Sequence, residues 1–252
     1  MRALITGASS GIGREIAKVL AGMGYDLILV ARSRDQLESL QRELTVPSEL
    51  YIFDLSDIEA CYRLYDAVSP GGLDILINNA GYGHFGQFLE TDLKIELNLI
   101  DLNIRAVHIL TKLFLKDFAA RNHGMIMNVA SMAAFTAGPL MSSYYASKNY
   151  VLRLTQAINE ELRHSGQNVH VCALCPGPVK TNFNRRAGVG FMAAGLSSTV
   201  VARYAVRQMM RGRTVIIPGL GMRILRILMH LAPDRLMLAG AYSVQKLKGR
   251  LS

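Results

Sequence analysis

The sequence predicts an α/β fold with a doubly wound parallel sheet of about seven strands. Two observations predict it. Short apolar runs rich in β-branched residues alternate with longer segments of helical spacing, and a glycine-rich turn joins the first run to the first helical segment. Because parallel neighbours need crossover connections, this alternation indicates a sheet with helices on both faces.

The order of the elements follows from the apolar runs. The strands are expected at residues 3–5, 27–30, 50–53, 75–77, 125–129, 169–174 and 215–217. The helices are expected at about 12–23, 34–43, 57–68, 92–121, 143–165 and 199–210. With no internal repeat and no linker between these segments, we expect a single domain over residues 1–252.

Composition restricts the class of protein. The chain has 252 residues, is 50% hydrophobic and has three cysteines, which suits a large core without a disulfide framework. Cys172 and Cys175 are three apart in a predicted strand and face opposite sides, so we interpret them as core residues. We expect no metal site, no signal peptide and a cytoplasmic location.

The net charge of +9 is concentrated in the tail, because residues 203–252 hold ten of the 28 basic side chains and one of the 19 acidic ones. These basic residues alternate with aliphatic residues rather than with aromatic residues that could stack on bases. We therefore do not expect a nucleic-acid partner.

The turn after the first strand predicts a phosphate site. Thr6-Gly7-Ala8-Ser9-Ser10-Gly11-Ile12-Gly13 opens a predicted helix, where unpaired backbone N–H groups and the helix dipole favour an anion. This strand, turn and helix are typical of a Rossmann-type dinucleotide-binding fold.

Arg32 indicates which dinucleotide binds. It ends the second predicted strand, where an NAD-binding site usually has a carboxylate for the ribose 2′-hydroxyl. A guanidinium suits a 2′-phosphate, and Arg14 could add positive potential, so the sequence favours NADP(H). In the alternative interpretation, Arg32 and Arg34 only begin a solvated helix.

Tyr144 and Lys148 are candidate catalytic residues. They are four apart in a predicted helix and share one face, whereas Tyr145 is three from Lys148. An ammonium beside a phenol would lower the phenol pKa toward neutrality and favour proton exchange with a substrate. Ser131 follows the fifth strand, at the edge of the sheet where ligands bind.

To about residue 218 the chain resembles the short-chain dehydrogenase/reductase family. The motifs that carry the resemblance are Thr6-Gly7-x-x-x-Gly11-x-Gly13, Asn78-Asn79-Ala80-Gly81, Asn103, Ser131, Tyr144-x-x-x-Lys148 and Pro176-Gly177. The resemblance implies that Tyr144 protonates the carbonyl oxygen, Ser131 hydrogen-bonds it, Lys148 contacts the nicotinamide ribose and Asn103 supports a water beside Lys148.

The resemblance also implies the remaining cofactor contacts: adenine at Asp54, the adenosine ribose near Asn79 and the carboxamide at 176–181. The expected cofactor-binding residues are Gly7, Ser9, Ser10, Gly11, Ile12, Gly13, Arg32, Asp54, Leu55, Asn79, Ala80, Gly81, Tyr144, Lys148, Pro176, Gly177, Val179 and Thr181.

The implied reaction is NADPH-dependent reduction of a lipophilic ketone, such as a 3-oxoacyl chain or a steroid-like carbonyl. The family's architecture places mostly apolar side chains near the nicotinamide: Tyr82, His84, Phe85, Ala133, Phe135, Met141, Phe183 and Met192. Residues 182–212 are similar to the family's substrate loop. Two alternatives are NADP-dependent alcohol oxidation by the same site, and a membrane-binding or partner-binding protein that keeps the fold.

Residues 219–252 extend beyond the resemblance as a basic amphipathic segment. Three placements are open: packing on the enzyme as a lid or dimer contact, lying on an anionic membrane surface, or binding an acidic carrier protein. The resemblance implies a homo-oligomer, either a dimer or a tetramer, and the extension bears on which of the two forms.

Overall fold

The computed structural model describes residues 1–181, 183, 195–231 and 233–249. The strands are β1 (Arg2–Thr6), β2 (Asp26–Ala31), β3 (Ser48–Ile52), β4 (Ile75–Asn78), β5 (Gly124–Val129), β6 (Val169–Leu174), β7 (Val179–Lys180), β8 (Leu196–Ser197) and β9 (Val215–Ile216). Seven of them form one parallel sheet in the order β3-β2-β1-β4-β5-β6-β9, while β7 pairs with β8. The predicted doubly wound α/β fold and its seven strands are confirmed.

Helices cover both faces of the sheet. They are α1 (Gly11–Ala21), α2 (Arg34–Gln41), α3 (Ile58–Val68), α4 (Leu93–Ile100), α5 (Val107–Arg121), α6 (Ser142–His164), α7 (Ser198–Met210), α8 (Leu220–Leu231) and α9 (Asp234–Gly249). Leu4 and Ile5 point to opposite faces of β1, and both are 0% exposed. Both faces of the sheet are therefore buried at β1, which explains why this strand is a continuous apolar run.

The strand order reverses between β1 and β4, which are both central. In a doubly wound sheet the connections on either side of this point run to opposite faces, and a crevice opens at the carboxyl ends of the strands. The crevice is where the glycine turn after β1 and the Asn79 segment after β4 meet.

The stretch predicted as one helix over 92–121 is interrupted. A π-helical turn, Asp101–Ala106, lies between α4 and α5. Asn103 lies in this turn and is 0% exposed. Such turns often occur at functional sites, because the extra residue changes where a side chain points.

Residues 182–212 do not form one loop. Residues 182 and 184–194 lie outside the described residues, whereas α7 packs against α1, and the Thr199 hydroxyl donates a hydrogen bond to Glu15 at 2.7 Å. The helical part of this segment therefore belongs to the scaffold. The role of residues 182–212 as the substrate loop stays a prediction.

Cys172 and Cys175 are free, buried core residues, as predicted. Cys172 packs in the core cluster of one sheet face and Cys175 in a cluster on the other side. Burial raises the pKa of both thiols, so they stay protonated and unreactive.

The C-terminal extension folds back on the body. Met222 and Met229 of α8 pack against the cluster that contains Phe135, and the Arg226 guanidinium lies 5.1 Å from the centre of the Phe135 ring. Packing on the enzyme is therefore what the structure shows for this face of α8. In the part of the chain that is described, no helix has the length and apolar character to cross a bilayer.

Candidate active site

A cleft of about 880 Å³ runs along the carboxyl ends of the central strands. Of the residues predicted to bind the cofactor, all but Gly13 line it. Ser131, Tyr144 and Lys148 also line it, so the predicted catalytic and nucleotide-binding residues share one cavity. Its size suits a ligand of drug or cofactor dimensions.

The glycine turn needs its glycines for close packing. Gly7 has a positive φ of 65°, and a Cβ there would lie 2.8 Å from the Asn79 Nδ2. A Cβ on Gly13 would lie 2.5 Å from the Gly7 carbonyl oxygen. Gly13 therefore lies beneath the turn and shapes it without lining the cleft.

Asn79 holds the glycine turn in place. Its Nδ2 donates hydrogen bonds to the backbone carbonyls of Thr6 at 3.0 Å and Gly7 at 3.1 Å. The Thr6 hydroxyl accepts hydrogen bonds from the backbone N–H groups of Asn79 and Ala80 at 2.9 and 3.0 Å. These bonds join the ends of β1 and β4 and fix the floor of the cleft.

The turn fits a dinucleotide pyrophosphate. The N-cap residue of α1, Ser10, makes no side-chain cap hydrogen bond, and Ser9, Ser10 and Gly11 line the cleft. The first-turn N–H groups and the positive end of the helix dipole therefore face the cavity. A side chain at Gly11 would meet Thr181 at 3.1 Å, so the backbone here is open to a ligand only because Cβ is absent.

Arg32 and Ser33 form the far end of the cleft. Arg32 pairs with Asp54 at 3.3 Å, and its side chain is 66% exposed. Ser33 is the N-cap of α2, and its hydroxyl makes no cap hydrogen bond. A guanidinium, a free hydroxyl and a helix N-terminus therefore meet at one place.

Arg14 does not add to that end of the cleft, and the prediction that it does is wrong. Its guanidinium forms a salt bridge with Glu43 and donates to the Gln36 carbonyl, and Arg14 does not line the cavity. Helix α1 turns this side chain toward α2 and away from the cleft, and Glu43 pairs with both Arg14 and Lys18.

Tyr144 is buried at the opposite end. Burial raises the pKa of Tyr144 to about 12, and a hydrogen bond with Ser131 acts in the opposite direction. The Ser131 oxygen accepts a hydrogen bond from the Ala133 backbone N–H at 3.1 Å, so its own proton is left for another acceptor. The two hydroxyls face the same cavity.

Lys148 lies beneath Tyr144 rather than bonded to its oxygen. Its Nζ donates to the Val129 carbonyl at 2.8 Å and lies 5.9 Å from the centre of the Tyr144 ring. Burial lowers the pKa of Lys148 to about 8. The predicted lowering of the Tyr144 pKa by Lys148 is therefore wrong here, because burial of the phenol outweighs the distant ammonium.

Asn103 supports this cluster from the π-helical turn. Its Oδ1 accepts a hydrogen bond from the Tyr82 N–H at 3.1 Å, and its Nδ2 donates to the Ser147 hydroxyl at 3.1 Å. Gly81 lies between Asn103 and Lys148: a Cβ there would be 2.9 Å from the Asn103 Oδ1 and 3.4 Å from the Lys148 Nζ. Asn103, Gly81 and Lys148 are therefore packed against one another.

The predicted apolar substrate residues divide into two groups. Tyr82, Ala133, Met141 and Phe183 line the cavity, and Phe85 packs in the same cluster. His84 and Phe135 do not line it, because His84 lies half-buried in a loop and Phe135 packs under α8. Met192 lies outside the described residues.

Sequence reasoning missed four polar residues of the cleft: Ser33, Asn98, Tyr145 and Gln245. Ser33 could have been found as a hydroxyl next to Arg32 at the start of a helix. Tyr145 was considered only as a rival to Tyr144. Gln245 lies in the C-terminal extension, 100 residues from Tyr145, and has no local signal that marks it.

Comparison with known proteins gives a consistent result. Residues 1–189 match the family described as short chain dehydrogenase. The chain is 33% identical over 198 residues to dehydrogenase/reductase SDR family member 7B of Xenopus tropicalis, covering 74% of this chain and 63% of that protein. It is also 33% identical over 178 residues to very-long-chain 3-oxoacyl-CoA reductase of Neurospora crassa, covering 67% of this chain and 54% of that protein. The matched region thus covers little more than half the length of these curated relatives.

Solved structures agree with the fold. A short-chain dehydrogenase from Sphingobium yanoikuyae in complex with NADPH has 33% identity and a TM-score of 0.81, over 87% of this chain and 88% of that one. A short chain dehydrogenase/reductase from Burkholderia phymatum in complex with NAD has 25% identity and a TM-score of 0.82, over 90% and 92% of the two chains.

Proposed function

The chain belongs to the short-chain dehydrogenase/reductase family of NAD(P)-dependent oxidoreductases, and we propose that it uses NADPH to reduce a lipophilic ketone to a secondary alcohol. One observation carries the proposal. A buried, protonated phenol, Tyr144, and the Ser131 hydroxyl face the cavity that the glycine turn and Arg32 also line.

The hydroxyls explain how a ketone is activated. Ser131 donates a hydrogen bond to the substrate carbonyl oxygen, because the Ser131 oxygen already accepts one from the Ala133 N–H. Tyr144 donates the proton that the oxygen takes up as negative charge develops. When bound, reduced nicotinamide supplies the hydride.

The protonation state of Tyr144 suits reduction. A proton donor must hold its proton at the working pH, and a pKa of about 12 keeps this phenol protonated at neutrality. Because one site catalyses both directions, the ratio of reduced to oxidised cofactor sets the net direction. Reduction is the direction we propose, and NADP-dependent alcohol oxidation by the same site is the alternative.

NADPH is favoured over NADH by the group at the far end of the cleft. A 2′-phosphate can bind the Arg32 guanidinium, the free Ser33 hydroxyl and the N-terminus of α2 together. Asp54 pairs with Arg32, and burial of Asp54 is outweighed by hydrogen bonds from Ser56 and Arg32 that lower its pKa. Arg32 and Asp54 therefore contact each other at the cleft wall, where both line the cavity.

The proposed substrate class rests on the other end of the cavity. Met141, Phe183 and Ala133 surround Tyr144 with apolar surface, which suits a lipophilic ketone such as a 3-oxoacyl chain or a steroid-like carbonyl. The similarity to a very-long-chain 3-oxoacyl-CoA reductase supports the acyl member of this class.

A ketone panel tests the proposal. Purified protein is mixed with NADPH or NADH and with acyl, aromatic and steroid ketones, and the oxidation of the cofactor is followed by absorbance. We expect turnover of lipophilic ketones with NADPH and a much lower kcat/KM with NADH. Turnover with NADH alone would overturn the cofactor proposal, and no turnover with any ketone would overturn the reaction.

We also propose that α8 contacts an anionic membrane surface. Exposed aliphatic side chains follow each other at helical spacing along its outer side: Leu220, Ile224, Ile227, Leu228 and Leu231. Arg223 and Arg207 both lie over the Tyr204 ring beside this stripe, at 5.2 and 5.7 Å. Aliphatic and basic side chains on one surface suit a membrane interface.

Vesicle sedimentation tests this second proposal. We expect the protein to bind vesicles with phosphatidylserine and to be released at high salt. Replacing Ile224, Ile227 and Leu228 together by Ser should abolish binding and keep ketone turnover, whereas the exposed Leu97→Ser control should bind normally. A dimer that dissociates in the triple variant would instead assign the stripe to the predicted oligomer contact.

A further inference from the structure

Gln245 lies where α9 meets the substrate end of the cleft. Its side chain is 2% exposed, and it is the one buried side chain among those that the structure describes on α9. It lines the same cavity as Tyr144 and Met141. Burying an amide on a helix whose other described side chains are exposed or half-buried is unusual unless the amide has a partner.

The Gln245 amide has a partner at one end only. Its Nε2 donates a hydrogen bond to the Tyr145 hydroxyl at 2.7 Å. Its Oε1 is buried and has no hydrogen-bond partner among the described residues. An unsatisfied buried amide oxygen is destabilising, so its presence in a ligand cavity points to a ligand that supplies the missing donor.

Tyr145 is held in a fixed position beside it. The Tyr145 ring lies directly over Gly138, where a Cβ would be 2.2 Å from the ring carbons. Burial raises the pKa of Tyr145, so its hydroxyl keeps a proton. Since that oxygen accepts the bond from Gln245, the proton is available to a ligand.

We propose that Gln245 and Tyr145 form a polar recognition site for a second functional group of the substrate, a hydroxyl or an amide remote from the reacting carbonyl. The Gln245 Oε1 accepts a hydrogen bond from this group, and the Tyr145 hydroxyl donates one to it. The surrounding wall is apolar at Met141 and Phe183, so this pair supplies the polar contact there. The C-terminal extension thereby determines specificity; this inference rests on the ketone reduction proposed above.

Matched substrates test the site. Pairs of lipophilic ketones that differ only by a hydroxyl or an amide, placed at successive distances from the carbonyl, are compared by kcat/KM with NADPH. In at least one pair, we expect the wild-type protein to have a kcat/KM about tenfold higher for the ketone with the polar group than for the plain ketone. Gln245→Met, which keeps the length of the side chain, should remove that preference by raising KM for the polar member, with a much smaller effect on kcat/KM for the plain ketone.

Three further variants keep the test decisive. Tyr145→Phe should reduce the preference in the same way. Gln245→Glu keeps an acceptor but takes the Tyr145 proton, so it should keep only part of the preference. Ser243→Ala on the exposed side of α9 should behave as wild type. NADPH affinity, measured by fluorescence, should be the same in all of them. A wild-type protein without preference for any polar member, or a Gln245→Met variant that keeps it, overturns the inference.

The proposed function can fail independently of this site. In that case the wild-type protein would oxidise no NADPH with either member of any pair, and both proposals would be overturned. If the plain ketones are turned over and the preference is absent, the inference alone fails.

Discussion

The ammonium of Lys148 lies 5.9 Å from the centre of the Tyr144 ring, one helical turn away, and donates its hydrogen bond to the Val129 carbonyl. Lys148 therefore supports the floor of the site next to the phenol without bonding to the phenol oxygen. This arrangement separates the roles of the two side chains, because the phenol carries the proton and the ammonium holds a buried charge below it.

Tyr144→Phe should nearly abolish ketone reduction. The change removes the proton donor and keeps the ring, so we expect kcat to fall by about a thousandfold with little change in NADPH affinity or in thermal stability. Initial rates with the best plain ketone, together with a fluorescence titration of NADPH, measure both quantities. Tyr145→Phe is the matched control and should keep the plain-ketone rate. Equal rates in the two variants would reject Tyr144 as the proton donor.

Lys148→Met should make the protein more stable and less active. Burial holds the pKa of Lys148 at about 8, below the ordinary 10.5, so at neutral pH the folded state contains an unfavourable buried ammonium. Removing it should raise the free energy of unfolding by about 2 kcal/mol, after the loss of the Val129 hydrogen bond. Turnover should fall about a hundredfold. Urea unfolding at pH 7 and ketone kinetics measure the two effects.

The same buried ammonium gives a pH dependence with a defined sign. Between about pH 8 and 10.5 the folded state has released the Lys148 proton and the unfolded state still binds it, so stability should rise with pH across this window. The stability advantage of Lys148→Met should therefore shrink from pH 7 to pH 10. A constant difference between the two proteins over this range would show that the ammonium is not buried.

Much of the fold could be predicted because its signals are local. A parallel strand covered on both faces reads as a continuous apolar run, and Leu4 and Ile5 illustrate why both faces must be apolar. The shared position of Tyr144 and Lys148 in the cleft could be predicted because i and i+4 share a helix face. The wrong placement of Arg14 and the missed Gln245 depend on contacts between distant segments. The Arg14 charge is taken by Glu43, 29 residues away, and Gln245 reaches the cleft only because two terminal helices fold back over it.

Arg32→Ala should weaken NADPH binding more than NADH binding. The guanidinium is proposed to hold the 2′-phosphate, and loss of one charged hydrogen-bonding group from such a site costs about 2 kcal/mol, or roughly thirtyfold in Kd. Fluorescence titration with both cofactors measures the difference. Arg34→Ala is the control, because Arg34 is 65% exposed and pairs with Glu38 at 3.8 Å. A parallel loss of affinity for both cofactors in Arg32→Ala would contradict the assignment.

Gly13→Ala should damage the nucleotide site through the backbone. A Cβ at this position would lie 2.4 Å from the Asn79 Nδ2 and 2.5 Å from the Gly7 carbonyl oxygen, so the turn must move away from β4. Overpacking of this kind costs about 1–3 kcal/mol of stability, and the displaced N–H groups should lower the affinity for both NADPH and NADH more than tenfold. Thermal unfolding and fluorescence titration test both effects.

Gly22→Ala, just after the other end of α1, is the matched control. Its φ is −63°, and an added Cβ would meet its nearest atoms at 3.5 Å, which is ordinary contact. Because alanine also restricts the unfolded chain, this variant should be neutral or slightly stabilising and should bind NADPH normally. If both glycine variants bound the cofactor as wild type does, Gly13 would have no part in shaping the pyrophosphate site, and the contact with Asn79 would be structurally dispensable.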